Sequence, residues 1–172
     1  MAEFKSISRD AVPLALEKAE RYRLLNEPAQ AESVCRDVLA VDPQNQQALV
    51  MLLLALTDQF YSGSAGSTEC FDEAQAVVPK LQNEYQRLYY SGIIWERRGH
   101  ARAIEGGGRH GNAQFAYAWI CQAMDYYERA ERLRPAGNDD PLLRWNSCLR
   151  LCQRFHLHEE EPEEIYEPLL GD

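Results

Sequence analysis

Features that define several common classes of protein are missing from this sequence. It has no run of 18 apolar residues and no charged N-terminal segment followed by an apolar one, so it predicts neither a membrane span nor a secretory signal. It also has no Cys-x-x-Cys pair. Its five cysteines mostly fall on apolar helical faces: Cys35, Cys70, Cys121, Cys148 and Cys152. We therefore expect reduced, buried thiols and a cytoplasmic protein.

Period-two alternation of apolar and polar residues, which is typical of a half-buried strand, is absent as well, so we predict an all-α chain. Helical periodicity and turn signals predict about seven helices, in which Pro79 should kink the fourth helix or end it early. The predicted ranges are 8–25, 28–41, 46–61, 68–82, 84–103, 112–134 and a last helix from residue 139 or 140 to about 156. Glycine and serine at 62–67, and glycine at 105–111, predict two extended loops.

Charge divides the chain into three parts. The net charge is −9, but residues 158–172 hold seven acidic residues and no Lys or Arg, which leaves 20 acidic and 18 basic residues elsewhere. We predict a disordered lead over residues 1–7, one helical domain over 8–157 and an acidic tail over 158–172. A nearly neutral body with an acidic tail does not favour nucleic acid, because phosphates require a basic face.

The sequence offers little to support catalysis or metal binding. The glycine-rich segment 105–111 lacks the Gly-Lys-Ser/Thr sequence and the preceding strand of a phosphate-binding loop. His100, His110, His156 and His158 do not have the spacing of a helical metal motif, and the i, i+4 pair Cys148 and Cys152 also fits a core stripe. We therefore predict no enzyme, no cofactor and no metal site, and keep a metal-binding regulator as an alternative.

The segment from Ala31 to Leu56 carries a repeat pattern. Ala19, Tyr22, Ala31 and Pro43 have the spacing of a small residue, an aromatic residue, a second-helix alanine and a closing proline. This resembles the tetratricopeptide repeat family, TPR, whose period of 34 residues carries Ala15, Ala19 and Tyr22 onto three leucines. Those leucines are Leu49, Leu53 and Leu56. The family's tryptophan, leucine and phenylalanine positions hold Ala15, Lys18 and Cys35 here.

The resemblance implies a right-handed α-α superhelix of about three helix pairs plus a C-terminal capping helix, with extended loops in the second and third units. Later units resemble the pattern through Leu88, Gly92 and Trp95, and then through Ala123, Tyr127, Ala130 and Pro135. Trp145, Leu149 and Cys152 resemble the capping helix. Members of this family hold partner proteins in a concave groove lined by the first helix of each pair. A non-catalytic scaffold or adaptor that binds an extended or helical segment is therefore expected.

Carried over position by position, the resemblance places these residues on the groove: Leu16, Glu20, Arg23, Val50, Leu54, Asp58, Tyr89, Ile93, Glu96, Arg97, Asn146, Arg150 and Arg154. The C-terminal half of this groove is rich in arginine, which suits carboxylates and hence an acidic partner. The weaker alternative is that these arginines are ordinary solvated surface. Leu16 and Glu20 replace the lysine and asparagine with which some members clamp a chaperone's C-terminal carboxylate. A small acidic chaperone of a secreted protein, as in type III secretion, is an alternative function.

The acidic tail allows two interpretations. It is either a disordered, solubilising segment or a segment that docks through its apolar residues, with its carboxylates near Arg97, Arg150 and Arg154. The apolar residues are Ile165, Tyr166, Leu169 and Leu170. Docking would produce either a contact within one chain or a homodimer.

Overall fold

The computed structural model describes residues 3–61, 64–105 and 110–159, and the described residues form seven α-helices and no strand. The helices are α1 (Val12–Leu24), α2 (Pro28–Val41), α3 (Gln46–Asp58), α4 (Ser64–Val77), α5 (Glu84–Glu105), α6 (His110–Glu131) and α7 (Asp140–Phe155). Short 3-10 turns at Arg9–Ala11, Gln59–Tyr61 and Val78–Lys80 adjoin α1, α3 and α4. The prediction of an all-α chain with seven helices is confirmed.

Local sequence explains where these helices begin and end. Pro28 occupies the first position of α2, where a missing backbone N–H costs nothing. The Asn45 side chain accepts a 2.9 Å hydrogen bond from the backbone N–H of Ala48 and caps α3. Pro79 cannot continue α4, which ends at Val77 in a 3-10 turn. After α7, His156 takes the left-handed conformation (φ 53°) and ends the helix.

Two predicted boundaries need correction. Residues 64–67, expected in a loop because of their glycine and serine content, have helical backbone at the start of α4. Low intrinsic propensity is a weak constraint, and the buried face of Phe71, Ala74 and Val77 stabilises the helix that these residues begin. α6 begins at His110 and ends at Glu131, so it is displaced toward the N-terminus from the predicted 112–134.

Successive helices pack as hairpins, and the odd-numbered helices also contact one another in the order α1, α3, α5, α7. One core cluster joins α1 to α5 around Leu53, Leu56 and Phe60. A second joins α5, α6 and α7 around Ile93, Ile120 and Tyr127. Leu54, Tyr90 and Trp95 pack at the edge of both clusters and join them.

The α5–α6 hairpin makes the most extensive helix–helix contact among the described residues. Ala116, Ala123 and Ala130 recur every seven residues on α6 and are fully buried. A Cβ at Gly92 would lie 2.5 Å from the Tyr127 ring, and one at Gly99 would lie 2.7 Å from Ile120 Cδ1. These glycines and alanines therefore allow the two helices to approach closely, and the aromatic ring of Tyr127 fills the space beside Gly92.

The predicted burial of the cysteine side chains is confirmed at three of the five positions. The structure leaves all five thiols free, with Cys35, Cys148 and Cys152 buried and Cys70 and Cys121 half-buried. None of the helices in the described ranges is both long and apolar enough to cross a bilayer.

Candidate functional site

The side-by-side packing of α1, α3, α5 and α7 creates one surface that we call the odd-helix face. All of the predicted ligand-binding residues come from these four helices. The even-numbered α2 and α6 pack against neighbouring odd helices, and α4 packs mainly against α3. The odd-helix face therefore runs across the whole array.

Asp58 joins three helices of this face. Its carboxylate accepts a 2.7 Å hydrogen bond from Arg23 Nε of α1 and a second bond from Arg97 Nη1 of α5. Arg97 also donates to the buried Thr57 Oγ1 at 2.6 Å and to the Leu54 carbonyl at 3.2 Å. Two guanidinium groups thus share one carboxylate, so one positive charge in this cluster has no carboxylate of its own.

A second polar cluster lies where α5, α6 and α7 meet. Glu96 is only 7% exposed, and its carboxylate accepts a 2.5 Å bond from the Tyr127 hydroxyl and a 3.3 Å bond from Arg144 Nη1. Burial alone would lower the pKa of Arg144, but the Glu96 carboxylate together with Tyr89 and Tyr127 outweighs burial and raises it. Burial, followed by the neighbouring Glu96 charge, raises the pKa of Tyr127 well above its ordinary value. Arg144 therefore stays charged and Tyr127 stays a hydrogen-bond donor.

The predicted residues divide into three groups by exposure. Exposed side chains are Glu20, Asn146, Arg150 and Arg154, and partly buried ones are Arg23, Val50, Leu54, Tyr89 and Arg97. Leu16 and Ile93 are the exceptions, since they are 4% and 1% exposed and pack in the core. Leu16 contacts Val38 and Ala48 in a small N-terminal cluster, and Ile93 belongs to the cluster around Tyr127. Neither side chain is available to a ligand, and Glu96, which is 7% exposed, is buried as well, so the prediction is corrected at these three positions.

Aromatic side chains that the pattern did not assign to the groove lie beside Tyr89. The Tyr85 and Tyr89 rings stack with centroids 5.8 Å apart, and Tyr90 meets Tyr89 edge-on at 5.3 Å. Tyr85 and Tyr90 are partly buried and keep some exposed surface. The odd-helix face thus combines arginines with a tyrosine cluster, a composition common in protein interfaces.

Two cavities lie on another surface, between α6 and α7. One has a volume of about 530 Å³ and is lined by Glu128, Trp145 and their neighbours. The other has a volume of about 640 Å³ and is lined by Met124, Leu149 and their neighbours. The repeat pattern did not predict a site here. The sequence does carry a signal for a site between α6 and α7, namely a second apolar stripe on α6. It consists of Tyr117, Cys121 and Met124 and is offset by one residue from the stripe of buried alanines.

Thiol and histidine chemistry is weakly supported by the described residues. Burial raises the pKa of Cys35 to about 12 and raises that of Cys148 as well, so these thiols are protonated near neutral pH. Burial also lowers the pKa of His100, whose Nδ1 lies 3.0 Å from the Tyr61 hydroxyl. Among the side chains that the structure describes, no three His, Cys, Asp or Glu residues form a metal site. The side chain of His110, the glycines at 106–108 and the tail from residue 160 lie outside the described part.

These features define a class of architecture: an all-α array of seven helices arranged as consecutive hairpins, with one arginine- and tyrosine-bearing face. No protein-family model, curated protein or solved structure matches the chain.

Proposed function

We propose that this chain is a non-catalytic scaffold of the tetratricopeptide type that binds an acidic segment of a partner protein on its odd-helix face. The observation that carries the proposal is the sharing of Asp58 by Arg23 and Arg97, which leaves excess positive charge on this face. The spacing of Ala19, Tyr22, Ala31 and Pro43 supports the repeat class.

The wider charge distribution points the same way. The predicted residues of the face, together with Arg144, include five arginines and three carboxylates, whereas the whole chain has a net charge of −9. A positive surface on an otherwise negative protein favours encounter with an acidic segment and disfavours binding in other orientations. The exposed Arg150 and Arg154 are the cations best placed for contact with a ligand, because Arg23, Arg97 and Arg144 already hold carboxylates of the fold.

The tyrosines supply the second requirement of such a site. Ion pairs in water contribute little affinity, so a binding face also needs contact area that is removed from solvent. Tyr85, Tyr89 and Tyr90 provide partly buried rings that lose little side-chain freedom on binding. We therefore expect an extended or helical ligand whose carboxylates lie near α7 and whose apolar groups lie on the tyrosines of α5.

Affinity capture from native extract tests this function. The tagged full chain should retain a protein at low salt that the Arg150→Glu/Arg154→Glu variant loses. The variant Arg9→Glu/Arg129→Glu is the matched control, because it makes the same change in charge at exposed arginines away from this face. Raising the salt concentration should weaken the wild-type interaction, since exposed charges are screened. Identical capture by both variants would refute the assignment of this face as the binding site.

A further inference from the structure

The two cavities between α6 and α7 follow one another along the same pair of helices, and together we call them the α6–α7 groove. On α6 its apolar side chains are Tyr117, Cys121 and Met124, and on α7 they are Leu142, Trp145 and Leu149. Both sets repeat at intervals of three and four residues, which places each on a single helical stripe. The groove is therefore bounded by two apolar stripes on neighbouring helices, the arrangement that receives the ridge of a third helix.

α7 is the last helix of the described array, and one side of it is uncovered. Each helix from α2 to α6 is followed by another helix that packs against it, whereas α7 packs against α5 and α6 alone within the described residues. Leu149, which lines the second cavity, is 41% exposed. The groove thus lies at the position where a further helix of the array would pack, and apolar surface of this kind is typical of interaction sites.

The groove has an acidic end. Glu128 and Glu131 line it together with Arg132, so carboxylates outnumber cations there by one. Glu128 accepts a 3.1 Å hydrogen bond from Trp145 Nε1, which fixes its carboxylate beside the indole ring at the edge of the groove. The opposite end is lined by apolar side chains and His156 and His158. A ligand complementary to this groove is apolar along one side and basic at one end.

The C-terminal tail does not fit this description. The sequence after Glu159 carries no Lys or Arg, whereas the groove calls for basic residues at one end. The tail is also acidic, so it would bring carboxylates toward Glu128 and Glu131 if it ran along the whole groove. The length of α7, 16 residues, corresponds to about 24 Å of helix.

We infer that the groove between α6 and α7 binds an amphipathic helix of about four turns from a partner protein, with an apolar stripe along the groove and basic residues over Glu128 and Glu131. This surface adjoins the odd-helix face at Asn146, which lines the first cavity, but its other lining residues are not among those assigned to the odd-helix face. The two binding sites are thus tested by different variants.

The probe is a synthetic 16-residue peptide with leucines on one helical stripe and lysines in its last turn. A control peptide has the same composition with the leucines distributed around the helix. Binding is measured on the full chain as protection of Cys121 from iodoacetamide, with each thiol quantified by mass spectrometry. Cys70 is half-buried on α4, far from the groove, and serves as the internal control.

At ten times its Kd the amphipathic peptide occupies about nine-tenths of the sites, so alkylation of Cys121 should slow about tenfold while that of Cys70 is unchanged. Leu149→Glu should abolish the protection, and Leu14→Glu, at another exposed leucine, should preserve it. Glu128→Gln/Glu131→Gln should weaken binding, and a peptide with glutamates in place of lysines should bind more weakly than the original.

Three outcomes overturn the inference. Equal protection by both peptides would show non-specific apolar binding. Protection that appears only after deletion of residues 160–172 would identify the tail as the occupant. A wild-type dimer that Leu149→Glu converts to a monomer, measured by sedimentation, would identify a second copy of the chain. None of these results bears on the Arg150→Glu/Arg154→Glu capture experiment, so the two proposals fail independently.

Discussion

The contact between Gly92 and Tyr127 provides a quantitative test of the α5–α6 packing. Gly92→Ala adds one methyl group whose ideal position lies 2.5, 2.7 and 2.9 Å from three atoms of the Tyr127 ring. Real Cβ contacts are about 3.4 Å or longer, so the ring or the helix must move by nearly 1 Å. The ring is 1% exposed and its hydroxyl is held by Glu96, and therefore it has little freedom to move.

Two effects of this substitution oppose each other. Alanine in a helix interior is favoured over glycine by about 1 kcal/mol. Overpacking a well-filled core costs about 1–3 kcal/mol, and here the displacement also strains the bond between Tyr127 and the buried Glu96. We expect overpacking to prevail and the free energy of unfolding to fall by about 1–2 kcal/mol.

Urea unfolding followed by circular dichroism measures the change. For a chain of this length a loss of 1 kcal/mol corresponds to a decrease in Tm of about 2–4 °C. Ser91→Ala, at the preceding and half-buried position of α5, is the matched control and should be nearly neutral. Unfolding with an unchanged or increased midpoint for Gly92→Ala would refute the close packing of Gly92 against Tyr127.

Three further predictions concern the polar clusters and the buried thiol. Asp58→Asn should lower the free energy of unfolding by about 1–2 kcal/mol, because Arg23 and Arg97 lose a shared carboxylate. The control Asp125→Asn, at an exposed i, i+4 ion pair, should change the free energy of unfolding by less than about 0.5 kcal/mol. Equal urea midpoints for the two variants would contradict the role of Asp58. Tyr127→Phe should cost about 1.5–3 kcal/mol by removing a donor to the buried Glu96, and Tyr126→Phe on the neighbouring face should not. Burial raises the pKa of Cys35 from 9.0 to about 12, so the contribution of the protonated thiol to stability is complete below pH 9 and is lost between pH 9 and about 12, at about 1.4 kcal/mol per pH unit. Cys35→Ala should therefore reduce the slope of the free energy of unfolding against pH, measured by urea titration at a series of pH values. An unchanged slope would show that Cys35 is not the titrating group.

The sequence predicted the helices well because their signals are local. Pro28, Pro43 and Pro79 restrict the backbone at their own positions, and the structure has helix boundaries beside all three. Residues 64–67 have the glycine and serine content of a loop, and their helical backbone depends instead on the packing of Phe71, Ala74 and Val77 farther along α4. The close approach at Gly92 is also a property of two helices, and only the position of Tyr127, 35 residues away, explains it.

The odd-helix face was predicted less completely, for a different reason. Repeat spacing identified the helices that form it, and ten of the thirteen residues assigned to the groove keep some exposed surface. It did not show that Asp58 holds both Arg23 and Arg97, since these residues come from three helices and pair across 35 and 39 positions. Nor did it find Arg144, which meets Glu96 across 48 positions. Long-range ion pairs have no fixed spacing, so a periodic pattern places the residues and does not reveal their partners.

The groove between α6 and α7 shows a related difficulty. α6 has two stripes of heptad-like spacing, offset from each other by one residue. The first includes Ala116, Ala123 and Tyr127 and packs against α5, and the second includes Tyr117, Cys121 and Met124 and lines the groove. A hydrophobic pattern alone reports a helix that is apolar over a wide angle, which is typical of a helix covered on two sides. α5 and α7 cover only part of that angle, so the second stripe becomes informative once the neighbours of α6 are known. The same stripe ends in Glu128 and Glu131, and under the proposal this change from apolar to acidic residues sets the orientation of the bound helix.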